Sequence, residues 1–102
     1  MSIKKQFLKT RPVCKVTFRL SKEDVKNAKS VHIAGNFNNW SKVKTPMKQL
    51  KNGNFSITLD LEKDKEYQFR YIIDKQTWFN DTEADKFVPS GFSGSQNCVI
   101  SV

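Results

Sequence analysis

One histidine, His32, and two cysteines, Cys14 and Cys98, are all that this 102-residue chain has of those residues. Two cysteines can build neither a disulfide framework nor a four-cysteine zinc site. A lone histidine in a strand-like run, with no nucleophile context around it, gives no Ser-His-Asp arrangement. No cofactor or metal is implied. Long apolar runs are also missing: none approaches a membrane span, and the charged start MSIKKQFLKTR lacks the apolar stretch of a signal peptide. The expectation is a cytoplasmic, reduced protein with no membrane association, whose cysteines are small buried residues. There is no internal repeat or low-complexity tract.

What remains fits one modest core. The chain is 37% hydrophobic and 12% aromatic, with eight Phe, and a domain this short buries only about two-thirds of its unfolded surface. Net charge is +8. Residues 1–51 carry 13 Lys/Arg against Glu23 and Asp24, whereas residues 52–102 carry 5 against 8 acids. A basic half attracts polyanions. The cations are mostly single lysines, however, with only Arg11, Arg19 and Arg70 able to form a planar fork, which argues against nucleic acid and for a solvated surface.

Alternation of period two recurs. VCKVTFRL (13–20) sets Cys14, Val16, Phe18 and Leu20 on one face, NFSITLDL (54–61) sets Phe55, Ile57, Leu59 and Leu61, and EYQFRYIID (66–74) sets Tyr67, Phe69, Tyr71 and Ile73. KSVHIAG (29–35) and NCVISV (97–102) are further strand candidates. Asn52-Gly53 predicts a two-residue hairpin with Leu50 opposite Phe55. Asp74-Lys75-Gln76 turns the chain into Thr77-Trp78-Phe79, placing Trp78 near Ile72 and diagonal to Arg70. Ser21 and Asp24 are spaced to cap a short helical turn. Residues 80–95 read as one long loop, with Asp81, Glu83 and Asp85 solvated. Short strands with turns about every ten residues predict an all-β, immunoglobulin-like antiparallel β-sandwich. Residues 13–102 form that single domain, after an N-terminal extension at 1–12.

Enzymatic readings are weak. Glycoside hydrolysis needs two carboxyl groups held across a scissile bond, and the acids at 81–85 have only their proximity in sequence. GFSGS (91–95) lacks the lysine and the strand-to-helix setting of a P-loop. The tryptophans say more. Trp40 ends a turn, GNFNNW, and Trp78 follows another, and both stand near amides: Asn36, Asn38, Asn39, Gln76 and Asn80. An indole packs on the C–H face of a sugar while neighbouring amide and guanidinium groups bond its hydroxyls.

VHIAGNFNNW, then Pro46-Met47, NGNFSITLDL and YQFRYIIDKQTWFND, resemble carbohydrate-binding module family 48 over roughly residues 29–102. That family includes the glycogen-binding domain of AMP-activated protein kinase β subunits and the N-terminal domains of isoamylases and branching enzymes. The resemblance implies an early-set immunoglobulin-like sandwich that binds glycogen- or starch-like α-glucan, maltooligosaccharides included, on one face without catalysis. Trp40 and Trp78 match its stacking tryptophans, Arg70 stands where a basic residue is usual, and Asn97 matches an asparagine near the last strand. Phe92 stands where the kinase-type domains place a leucine, and Asp74-Lys75-Gln76 is one residue longer than the family's usual turn. The alternative is an interaction module of the same fold, recruiting a glycogen-metabolising enzyme or kinase without strong sugar binding.

Overall fold

The computed structural model describes residues 1–91 and 94–102. In order, the strands among them are β1 (Ser2–Phe7), β2 (Val13–Leu20), β3 (Val31–Gly35), β4 (Lys48–Gln49), β5 (Phe55–Glu62), β6 (Glu66–Ile73), β7 (Thr77–Phe79), β8 (Lys86–Pro89) and β9 (Gln96–Ser101). One sheet runs β1-β2-β5-β4 and the other β3-β6-β9-β8, with β7 also paired to β6. Every named pairing is antiparallel, and the two layers make the expected immunoglobulin-like sandwich.

Alternation explains the packing. The inward set of β2, Cys14, Val16, Phe18 and Leu20, is at most 1% exposed and meets Phe55, Leu61, Ile33, Phe69, Tyr71, Cys98 and Ile100 in one cluster. Phe18 and Phe69 join the layers edge to face, with centroids 5.2 Å apart. Both cysteines are buried free thiols, and burial pushes the Cys98 thiol up to about 11.

Several local features differ from the sequence expectation. Gln49, not Leu50, lies opposite Phe55. The Leu50 N–H donates to the Asn54 carbonyl at 2.7 Å and the Gly53 N–H to the Leu50 carbonyl at 2.9 Å. Only Gly53 takes positive φ, at 90°, while the Asn52 side chain accepts the Asn54 N–H at 3.0 Å. The loop is therefore three residues with glycine in the left-handed position. That one-residue slip leaves Leu50 40% exposed.

Residues 80–95 are not one loop, because β8 lies inside them and pairs with β9. As an edge strand with little buried surface it carries scant hydrophobic signal, and Pro89 marks its end. The segment before Val13, set apart in the sequence as an extension, pairs over its whole β1 length with β2. Ser21 and Asp24 do bond reciprocally, Ser21 N–H to Asp24 Oδ2 at 2.9 Å and Asp24 N–H to Ser21 Oγ at 3.0 Å. They open a short hydrogen-bonded turn, which ends in positive φ at Lys26 and Asn27.

Asp81 is fully buried, contrary to the solvated acidic loop expected. Its Oδ2 accepts the Tyr71 hydroxyl at 2.6 Å and its Oδ1 the Glu83 N–H at 2.8 Å, and its own N–H donates to Cys98 Sγ at 3.1 Å. Burial, then the Asp81 charge, push the Tyr71 hydroxyl far above its ordinary value. This knot pins the loop after β7 to β6 and β9. Tyr71→Phe removes the donor and should lower stability by about 1–3 kcal/mol, the cost of orphaning a buried acceptor. Tyr67→Phe, which removes a hydroxyl bonded to the exposed Glu62 carbonyl, should cost less than about 1 kcal/mol. Urea denaturation checks both.

His32 is buried, and among the described residues its Nδ1 has no hydrogen-bond partner. Burial, and secondarily Lys75, hold its pKa below the ordinary 6.5. The unfolded chain therefore takes up this proton more readily than the folded one. The stability from a neutral His32 is complete above pH 6.5 and is lost as pH falls from there towards the folded value. The urea midpoint should fall between pH 7 and about 5.5, and His32→Gln should flatten that slope.

Candidate functional site

The turn GNFNNW owes its shape to a close approach and a buried amide. At Gly35 a Cβ would stand 2.4 Å from the Gln68 carbonyl oxygen and 2.7 Å from the Phe37 ring, so only glycine fits. Asn38 is 8% exposed. Its Oδ1 accepts the Gly35 N–H at 3.0 Å, and its Nδ2 donates to the Ile33 carbonyl and to Thr45 Oγ1, both at 2.9 Å. The N–H groups of Asn38 and Trp40 converge on the Gly35 carbonyl at 3.1 and 2.8 Å. Held this way, Asn39 and Trp40 take φ of 58° and 57°, a region that costs a side-chain-bearing residue roughly 1–2 kcal/mol. The local network offsets that strain and swings the indole out over the second sheet.

Asn36 extends the β3–β6 ladder: its N–H donates to the Gln68 carbonyl at 3.1 Å and its Oδ1 accepts the Gln68 N–H at 3.3 Å. Asn36 and Asn38 are thus spent on backbone bonds instead of forming a polar rim, whereas Asn39 is exposed.

Trp78 is positioned by the β6–β7 turn. Asp74 and Lys75 have φ of 50° and 60°, and the Gln76 N–H donates to the Ile73 carbonyl at 3.0 Å. Asp74 Oδ1 accepts the Lys29 and Ser30 N–H groups, both at 2.9 Å, tying the turn to the segment entering β3. The longer turn is absorbed there, and Trp78 falls opposite Ile72. Ile72, on the same alternating face as Arg70, is nonetheless fully buried, flanked by His32 and Trp78. Arg70 Cζ lies 5.6 Å from the Trp78 ring centroid, and Lys42 Nζ lies 5.7 Å from it. Among the described residues the buried Arg70 Nε has no hydrogen-bond partner.

Trp40, Gln68, Arg70, Trp78, Ser90, Ser95 and Asn97 line one groove of about 660 Å³. Asn97 is 7% exposed and donates from Nδ2 to Gln68 Oε1 at 3.1 Å. A second hollow of about 500 Å³ continues past Arg70 along Asn80, Pro89 and Gln96. Four residues singled out in the sequence, Trp40, Trp78, Arg70 and Asn97, thus come together. Phe92 lies outside the described residues. Gln68, Ser90 and Ser95 escaped the sequence, although Gln68 was identifiable as the outward neighbour two positions before Arg70. Among the described residues, no three His, Cys, Asp or Glu side chains gather as a metal site would require, and no helix is long and apolar enough to cross a membrane.

Residues 19–102 match the family described as the glycogen recognition site of AMP-activated protein kinase. The chain belongs to that family. It is a non-catalytic carbohydrate-binding module. The chain is also 36% identical over 74 residues to 5'-AMP-activated protein kinase subunit beta-1 of Sus scrofa, an alignment covering 72% of this chain and 55% of that protein. It therefore spans about half the length of that relative. In this glycogen-recognition module the buried Asn38 amide holds the Trp40 turn from behind. Asn38→Ala removes three hydrogen bonds and should cost about 2–4 kcal/mol, from roughly 1 kcal/mol each. Acrylamide quenching of tryptophan should rise as the turn loosens.

Proposed function

We propose that the groove on the β3-β6-β9-β8 sheet binds α-glucan of the glycogen and starch type, as maltooligosaccharide segments, and that the chain acts by localisation. The observation that carries this reading is that both indoles share one lining with Arg70, Gln68 and Asn97. Sugar C–H faces pack on Trp40 and Trp78, while Arg70 donates to hydroxyls and the Gln68–Asn97 amide pair offers both donors and acceptors at the rim. Phe92 is a further proposed sugar contact, on the family resemblance alone. Neutral sugar stacking is insensitive to salt, which separates it from polyanion attraction by the basic half.

A kinase subunit as relative favours a second reading, in which a module of this fold recruits a kinase or a glycogen-metabolising enzyme in the cytoplasm without strong sugar binding. Titration of the protein with maltoheptaose, followed by indole fluorescence at low and high salt, separates the two. Trp40→Ala and Trp78→Ala should each weaken binding by about 1–3 kcal/mol in folded protein, the usual size of losing an aromatic anchor. Because the Arg70 guanidinium sits against the Trp78 ring, losses from Arg70→Ala and Trp78→Ala should be non-additive in a double-mutant cycle. No saturable response to maltoheptaose in wild-type protein would sink the glucan reading in favour of the second.

A further inference from the structure

Two cations attend Trp78, and a neutral glucan has no charge to match them. Arg70 and Lys42 approach the indole from different elements, Arg70 from β6 and Lys42 from the segment just beyond the Trp40 turn. Neither makes an ion pair among the described residues, where all cations in ion pairs lie elsewhere: Lys5, Lys15, Lys65, Lys86 and the terminal amine. Among the described residues, the groove lining includes no carboxylate. Arg70 also holds a buried Nε that finds no acceptor among the described residues. A hydroxyl can accept from a guanidinium, but it leaves the charge uncompensated.

Stacking adds a second mismatch. A neutral sugar ring that displaces a cation from Trp78 returns only uncharged hydroxyl acceptors for the cation–π attraction lost. An anionic substituent on the glucan does return charge: it offers acceptors to Arg70 and Lys42, which both stand within 5.7 Å of the Trp78 ring centroid. Phosphate suits this geometry, since its oxygens accept both the planar guanidinium fork and a lysine point charge.

We propose that the groove prefers α-glucan carrying phosphomonoesters over unmodified glucan, with Lys42 and Arg70 as the phosphate-reading pair. This rests on the glucan-binding reading of the same groove. The test compares maltoheptaose, maltoheptaose bearing one phosphomonoester, the same phospho-oligosaccharide after phosphatase treatment, and inorganic phosphate, all titrated calorimetrically into the wild-type protein at about 0.15 M salt, where exposed charges are partly screened.

The phospho-oligosaccharide should bind about tenfold tighter than maltoheptaose, an advantage abolished by phosphatase and by Lys42→Gln. Lys48→Gln, on the opposite sheet, should leave that ratio unchanged. Equal affinity for phosphorylated and plain maltoheptaose overturns the phosphate preference while leaving glucan binding intact. Failure of every oligosaccharide to bind overturns both. Inorganic phosphate binding as tightly as the phospho-oligosaccharide would mean a free-anion site, and loss of the ratio in Lys48→Gln would mean bulk charge. Either of these also overturns the proposal.

Discussion

Gly35 passes so near the Gln68 carbonyl that no side chain has room there, since a Cβ would sit 2.4 Å from that oxygen. That contact brings the end of β3 tight against β6 and lets the chain reverse at once. The reversal is then fixed from behind by Asn38, whose amide reaches Gly35, Ile33 and Thr45. The groove's upper side depends on it. Trp40 is carried outward in a left-handed conformation it would not adopt alone, and the next residues bring Lys42 to Trp78.

The groove's other side hangs on a buried polar knot. Asp81, fully enclosed, accepts the Tyr71 hydroxyl and donates its own N–H to Cys98. A carboxylate in that position is tolerable because it is bonded, and costly if a partner is lost. Through it the loop after β7 is fastened to the two strands that present Arg70 and Asn97. The rigidity of the platform therefore comes from polar groups inside the protein, whereas its apolar surfaces face the solvent.

How much of this is legible in the sequence depends on burial. Where one face packs inward, as in β2, β5 and β6, alternation alone announces the strand and its inner set. β1 and β8, edge strands with little buried area, leave too faint a pattern, so residues 1–12 and 80–95 resemble an extension and a loop. The hairpin at Gly53 falls one residue from its expected register because Asn-Gly serves both two-residue and three-residue connections. Trp78 opposite Ile72 is legible because a turn fixes register. Asn38 and Asp81 are hidden for a common reason: the composition of a polar stretch does not reveal which side chain folds inward to bond the backbone.

Strand β6 changes partners part-way along. Its first half is bonded to β9 through Phe69↔Cys98, and its second half to β7 from Tyr71↔Phe79 onward. Arg70 stands at that seam. A sheet that ends one neighbour and begins another at the same point can be altered on one side without re-registering the other. A longer β6–β7 hairpin would change the reach and contour of the groove while β9 keeps its pairing and the Asp81 knot beyond Phe79 stays intact. The seam therefore lets the contour of this surface change separately from the β6–β9 pairing that holds the sheet together.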